Sequence, residues 1–510
     1  MNLDEATLDS ALTSILVTTM LGLGITVLIG LPVNDIRRGA LASSTFLALF
    51  CSYGYLFPTA SESELSSPLT LTLWTTLTVA LVALATRHKK HVNAVTRCLN
   101  IMFALMLLFP AVMVLHATAT HRSDNVMLGG DAEPVAVDQT RPTPETAPDI
   151  VYLIFDRYGR ADTLKTVYGF DNEPFLDELR DRGFKVGDRA LANYPKTVFS
   201  LGAATNMRYM NDLDADDITN AGLTAAQRLQ DNLVSRELAA HGYYHAQIGS
   251  WWWPTATSPY ADHNYSLDAL DEFTEAYFKT TLLGHWAPYV PMINDRLDRL
   301  RVRHARLAFQ LDSVREALHE SDRPAFVFMH ATMPHPPYVF RADGSYLPPE
   351  EIAELTIPAM YVDSVRHANR AALELIDDLL SVPADERPII IFQSDEGPHP
   401  LAVPGVRVSA RQDQPDWPGF TDGQLLEKFG IVSAFYLPGP DAPELPPDLS
   451  PVNTFRLVFR EYLGRHEFDP LPDRSFVWSG PEGKDPIDVT DRLQDPDAQE
   501  RDEVIRRSVE

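Results

Sequence analysis

The chain has 510 residues, two cysteines and a formal net charge of −27. Acidic and basic residues balance within residues 1–120, so the whole excess of acid falls on residues 121–510. An acid-rich chain of this kind repels phosphate backbones and argues against a nucleic-acid partner. Cys51 and Cys98 both fall at or in apolar segments, so neither a disulfide framework nor a thiolate metal site is expected in the remainder.

Four apolar runs come first: Ala11–Val33, Ala40–Leu56, Leu69–Ala85 and Leu99–Val114. None carries a charge in its interior, and each approaches the length that crosses a bilayer core of ~30 Å. They predict a four-helix transmembrane region over residues 1–117. Arg37 and Arg38 follow the first run, and Arg87, Lys89, Lys90 and Arg97 lie between the third and fourth. Basic loops face the cytoplasm, which places the N-terminus and everything after the fourth run outside. The expected location is an integral, multi-pass cell (inner or plasma) membrane protein with an extracytoplasmic C-terminal domain. With no ionisable residue inside a run, a transport path lacks its usual marker, and the helices read as an anchor.

Residues 118–148 are polar, contain Pro and Gly, and show no periodicity, so they read as a linker. From residue 149 to 510, short β-rich runs alternate with amphipathic stretches. Strands are expected at Ile150–Phe155, His245–Gly249, Phe326–Met329, Ile389–Phe392 and Ile431–Leu437. Helices are expected at Pro174–Arg182, Val198–Met207, Ala225–His241, Arg303–His319, Asp363–Leu380 and Thr454–Leu463. The alternation predicts an α/β doubly wound, mostly parallel sheet, with ligands bound beyond the carboxyl ends of its strands.

Several residues sit at those ends. Asp156 follows the first strand, where an Asp is as readily a helix cap as a ligand. Thr197 opens a helix and caps one equally well, although a helix N-terminus also favours an anionic group on that hydroxyl. Asp395 and Glu396 follow Ile389–Phe392, where a divalent metal or plain solvation accounts for two adjacent acids. His330 and His335 flank a third strand end, and His335 lies among prolines, suited to donating a hydrogen bond or proton unless it is only structural. Trp252, within Trp251–Trp253, lines a pocket, sits at a membrane interface or packs beneath a loop. Arg160, His263 and His399 are rim candidates, and His367 reads as structural. Their common placement at the ends of one sheet links them.

These residues resemble the sulfatase-like branch of the alkaline phosphatase superfamily. The membrane-anchored type, lipoteichoic acid synthases and lipid A phosphoethanolamine transferases, also places spanning helices before an outward-facing α/β domain. The resemblance implies an alkaline-phosphatase-like fold, with Asp156 as the first metal carboxylate and Thr197, in Thr197-Val198-Phe199-Ser200-Leu201, as nucleophile and metal neighbour. His330 and His335 match the family's two histidines, the second of which contacts substrate phosphate, and Asp395 matches the acid of an Asp-His metal pair. Glu396 stands where that histidine is expected. If Glu396 is a ligand, an all-oxygen shell favours Mn²⁺, Mg²⁺ or Ca²⁺ over Zn²⁺; if it points away, the site is degraded. The Cys-x-Pro-x-Arg signature of sulfate-ester hydrolases is absent. The expectation is therefore one divalent metal ion and a hydrolase or transferase of phosphate esters, acting on lipid or cell-envelope substrates. Trp252 and Arg160 are expected to contact substrate. An inactive envelope protein that binds a ligand or partner in the same pocket is the competing expectation.

Overall fold

The computed structural model describes residues 8–56, 67–87, 93–94, 96–98, 101, 147–213, 218–267, 277–282, 298–404, 415–479, 485–495 and 497–507. The chain divides into two compact units. One comprises Met1–Ala136 with Ala269–Asp298; the other comprises Val137–Asp268 with Arg299–Glu510. The outer domain expected at 149–510 is thus interrupted: a stretch near residue 280 belongs to the first unit.

In the first unit, α1 (Leu8–Val33), α2 (Ile36–Leu56) and α3 (Ser67–Arg87) follow the first three apolar runs. Among the described residues, one helix, over Ile15–Val33, is long and apolar enough to cross a membrane; Thr72–Leu84 is a shorter apolar helix. Polar Ser43, Ser44, Thr45 and Ser52 dilute α2, which is why it falls short of the expectation of a span. The fourth run lies almost wholly outside the described residues. Small residues let α1 and α2 approach closely. A Cβ on Gly39 would lie 2.5 Å from the Thr26 carbonyl oxygen, and the Ser43 hydroxyl donates to the Gly22 carbonyl at 2.8 Å. Tyr277 reaches the same helices, its hydroxyl 2.5 Å from Thr18 Oγ1 and 3.6 Å from Cys51 Sγ.

The second unit is built on a seven-stranded sheet in the order β2-β7-β6-β1-β5-β3-β4. The strands are β1 (Ile150–Phe155), β2 (Lys185–Val186), β3 (Tyr244–Ile248), β4 (His263–Asn264), β5 (Ala325–Ala331), β6 (Ile389–Gln393) and β7 (Ser433–Tyr436). β6, β1, β5, β3 and β4 run parallel; β7 is reversed, pairing antiparallel with both β6 and the edge strand β2. Alternate residues of the central strands enter two cores, as expected of a sheet covered on both faces. Val151, Leu153, Phe155, Ile390 and Phe392 pack with Val365, Ala372 and Leu375 of the Ile357–Leu379 helix. Ile150, Tyr152, Ile154, Ile389 and Ile391 pack with Val234, Leu238, Phe455 and Phe459 on the other face.

Three expectations shift. The helix predicted at Ala225–His241 is two helices, Ile218–Gln230 and Leu233–Ala240, because Asn232 caps the second by accepting the Ser235 N–H. The helix predicted from Asp363 begins at Ile357, capped by Thr356. β5 continues to Ala331, so His330 lies within the strand rather than after it.

Candidate metal centre

The site forms where β1, β5 and β6 end. Register pairs Ile154 with both His330 and Gln393, so Asp156, His330 and the Ser394–Glu396 turn emerge at one level. The Asp156 N–H donates to the Ala331 carbonyl, prolonging the β1–β5 ladder by one residue and fixing the carboxylate. The turn after β6 is held from both sides. The Ser394 hydroxyl accepts the Tyr158 N–H at 2.9 Å and donates to the Glu396 carbonyl at 2.7 Å. The Gly397 N–H donates to the Lys428 carbonyl at 2.7 Å, and a Cβ at Gly397 would lie 2.3 Å from the Glu427 carbonyl oxygen. Only glycine permits that approach.

Asp156, His330 and Asp395 are buried, and one ligand atom from each lies within 4.8 Å of the others. Asp156 Oδ1, His330 Nε2 and Asp395 Oδ2 are all buried without a hydrogen-bond partner. Buried carboxylate oxygens left unpaired are costly, and a divalent cation among the three atoms removes the cost. Burial and the Asp395 charge push the Asp156 carboxyl well up, and burial followed by the Glu396 charge pushes Asp395 up to about 6. Burial and the Arg303 charge hold His330 down to about 3, so its imidazole is neutral, the form that binds metal. Thr255 Oγ1 lies 2.9 Å from His330 Nδ1 and leaves Nε2 turned toward Asp156, 3.9 Å from Oδ2. Trp252 packs edge-on against that imidazole with ring centroids 6.1 Å apart. The donor set fits a divalent metal: two carboxylates and an imidazole, each aimed by an outer partner.

Thr197 is the first residue of the Thr197–Asn206 helix. Its hydroxyl bears on Asp395 as a donor and favours the charged carboxylate. Glu396 is occupied differently from the ligand role expected of it. Its Oε1 accepts from Lys428 Nζ at 2.7 Å and from Arg157 Nε at 2.9 Å, and both Glu396 and Lys428 are buried. It stands outside the group of converging ligand atoms, and His330, expected to act on substrate oxygens, stands inside it. A shell containing His330 no longer disfavours Zn²⁺.

His335 is half-buried on the loop after β5. Its Nδ1 meets the Pro336 carbonyl, which can only accept, so Nδ1 carries the proton and Nε2 the lone pair. Burial and the charges of Arg157 and Arg303 hold its pKa well below the usual range. Arg303 clasps this loop through the Thr332 and His335 carbonyls, the latter at 2.7 Å. Arg160 turns to Asp162 at 2.7 Å and lines a separate cleft of about 280 Å³ with Glu173, Arg180 and Asp188. Desolvation, then the charges of Lys428 and Arg157, lower the His399 pKa to about 4. His263, on the edge strand, pairs with Glu320, and His367 packs at a tilt against Phe340.

Sequence reasoning missed Arg157, Lys428, Arg303 and Thr255. Only Arg157 carried a signal, its place directly after Asp156. Its φ of +65° is unusual for a residue with a side chain and costs on the order of 1 kcal/mol. The Arg157 N–H donates to Asp395 Oδ1 at 3.3 Å, and its carbonyl accepts the Tyr361 hydroxyl at 2.8 Å; these bonds hold the conformation.

The sulfatase family model matches residues 148–420. No curated protein matches the chain. Among solved structures, the chain is similar to the C-terminal periplasmic domain of EptC from Escherichia coli in complex with Zn, at 16% identity and a TM-score of 0.44, covering 70% of this chain and 96% of that one. It is similar to the integral membrane lipooligosaccharide phosphoethanolamine transferase A (EptA) from Neisseria meningitidis, at 15% identity and a TM-score of 0.40, covering 82% and 73%. It is similar to an alkaline phosphatase superfamily protein from Vibrio parahaemolyticus, at 14% identity and a TM-score of 0.39, covering 68% and 78%. The match to the family model spans more than half of the residues, and the chain belongs to the sulfatase family.

Proposed function

We propose that this protein transfers or hydrolyses phosphoryl groups of lipid or cell-envelope esters, with Thr197 as the nucleophile. The observation that carries the reading is the convergence of Asp156, His330 and Asp395, each of which also has a buried ligand atom without a hydrogen-bond partner, beside a hydroxyl that opens a helix. Those three residues would hold the divalent ion, which when bound lowers the pKa of a neighbouring hydroxyl and offsets charge on phosphoryl oxygens. Thr197 Oγ attacks phosphorus, the bond to the leaving alcohol breaks, and a phosphothreonine forms. The helix N-terminus at Thr197 favours the anion that results. His335 presents a neutral Nε2 lone pair, so it suits accepting a proton from the water or alcohol that releases the group. Water gives hydrolysis and a second alcohol gives transfer.

The chain has no cysteine after Cys98, so a cysteine-derived formylglycine for sulfate esters has no precursor in the catalytic unit. Residues 1–117 would anchor the protein in the membrane, and 118–148 would link them to a catalytic domain on the outer face; Arg37, Arg38, Arg87, Lys89 and Lys90 support that orientation.

The test uses the full chain in detergent with aryl phosphodiester, phosphomonoester and sulfate-ester probes and added Zn²⁺, Mn²⁺, Mg²⁺ or Ca²⁺. Metal-dependent phosphoester turnover should fall by at least about a thousandfold in Thr197→Ala. Undiminished turnover in that variant would move the nucleophile elsewhere. Stoichiometric ligand binding without turnover on any probe would favour a binding protein on the same fold.

A further inference from the structure

We infer that Arg157 receives the anionic oxygens of the substrate's tetrahedral ester group, and that Glu396 and Lys428 aim it there. The inference rests on the phosphoryl-group reading above and adds the residue that would recognise the group.

The arrangement runs outward from the core. Lys428 has a side chain 1% exposed and Glu396 one 2% exposed, whereas the Arg157 side chain is 23% exposed. Glu396 Oε1 holds the Lys428 ammonium on one side and Arg157 Nε on the other. Lys428 is fixed in turn by the Gly397 carbonyl at 3.2 Å. Arg157 thereby spends one donor on its support. Among the described residues, its two Nη groups meet no hydrogen-bond partner. The Arg157 charge is felt at Asp156, His335, Tyr338 and His399, so the guanidinium stands among the groups that ring the metal centre. A planar fork with free Nη donors matches two oxygens of a phosphate.

The backbone adds an independent observation. Arg157 occupies the left-handed region at φ +65°, where Asn or Gly would sit with less strain. Tyr361 and Asp395 hold that conformation through the Arg157 carbonyl and N–H. An arginine kept in a glycine-like conformation, with its side chain braced by a buried carboxylate, is placed for what its guanidinium contacts. A buried ion pair is weak evidence for stability, since desolvation consumes much of its Coulombic gain. Fixed geometry is what the Lys428–Glu396–Arg157 chain supplies.

Glu396 Oε2 is buried and unpartnered, so ligation of the metal is the rival role for this residue, and metal content separates the two. The experiment uses the full chain in detergent, loaded with Zn²⁺ or Mn²⁺. Bound metal per chain is measured by elemental analysis, and affinity for inorganic phosphate by calorimetry. Arg157→Asn suits the backbone conformation and should keep the fold and the metal, while phosphate affinity falls at least about tenfold. Glu396→Gln should also keep the metal and weaken phosphate binding severalfold, and Glu396→Asp should recover part of that loss. Phosphate affinity within twofold of wild type in Arg157→Asn would overturn the inference, as would wild-type protein that binds metal but no phosphate. Loss of metal in Glu396→Gln would overturn the role given to Glu396. Thr197→Ala reports separately on the reaction, through turnover alone. If Thr197→Ala keeps turnover while Arg157→Asn loses phosphate, the nucleophile assignment fails and this inference stands.

Discussion

Replacing Asp395 by Asn should stabilise the metal-free protein and destroy its response to metal. The ligand atoms of Asp156 and Asp395 lie within 4.8 Å of each other. Two unit charges at that separation repel by about 3.5 kcal/mol at an effective dielectric of ~20. Burial and the Glu396 charge add to the cost of ionising Asp395, whose pKa is pushed up to about 6. The Arg157 N–H and the Thr197 hydroxyl oppose it by favouring the carboxylate. A net gain of roughly 2–3 kcal/mol for the neutral amide is therefore expected above pH 7. The sign follows from the direction of the shift. A carboxyl raised in the folded state contributes stability below its unfolded pKa and loses it as pH rises through about 6. Wild type and variant should therefore converge below about pH 4 and be fully separated by about pH 7. The assay is thermal unfolding in detergent, with EDTA and then with saturating Zn²⁺ or Mn²⁺. With EDTA at pH 8 the variant should melt a few degrees higher, since a kcal/mol moves Tm by roughly 2–4 °C in domains of 150–250 residues and by less in larger ones. Added metal should raise the wild-type transition by mass action and leave the variant almost unmoved. An EDTA-treated variant that melts at or below wild type would refute the repulsion argument, and equal metal responses would remove Asp395 from the centre.

Two further outcomes follow from the surrounding structure. Glu427 is buried, accepts from the Tyr168 hydroxyl and the Leu401 N–H, and has its pKa pushed up to about 7 by burial, against the opposing pull of Arg506. Stability should therefore fall as pH rises from about 4.5 to 7, and Glu427→Gln should flatten that part of the slope by up to ~3 kcal/mol in metal-free melts; an unchanged slope would assign it to other groups. Gly397→Ala places a Cβ against the Glu427 and Lys428 carbonyl oxygens, which are backbone atoms unable to rotate away. It should cost ~2 kcal/mol or more and lower metal content together with Tm, whereas a normal melt with normal metal content would show that the turn can open.

The parts of the site that lie directly after an apolar strand were legible. Ile150–Phe155 and Ile389–Phe392 announce buried strands, so Asp156 and Asp395 could be placed at a sheet mouth from spacing alone. His330 was placed near the mouth but in another role, because its position depends on register. It lies inside β5, and only its pairing with Ile154 brings it level with Asp156. Lys428 could not be read at all. It ends an amphipathic Asp422–Phe429 helix, where a lysine ordinarily faces water, and its burial against Glu396 is created by the Gly397 turn docking on residues 427–430. The helices of the first unit were legible by composition. The stretch near residue 280 that groups with them was not, because nothing in its length or spacing says which core it joins.

The substitution of Glu396 for the histidine of the family pattern ceases to look like decay once the charges are counted. Asp156, Asp395 and Glu396 contribute three negative charges, and Arg157, Lys428 and Arg303 contribute three positive ones that act on the same centre. Without metal the pocket is balanced when all are ionised, a state the raised carboxyl pKa values partly relieve. A divalent ion held by Asp156, His330 and Asp395 would make the pocket doubly positive. A neutral residue in place of Glu396 would raise that to three, with two cations facing each other across a buried gap, which is costly without an anion between them. Glu396 thus makes Lys428 and Arg157 tolerable together, and the surplus charge that remains matches a phosphate ester bearing one or two negative charges.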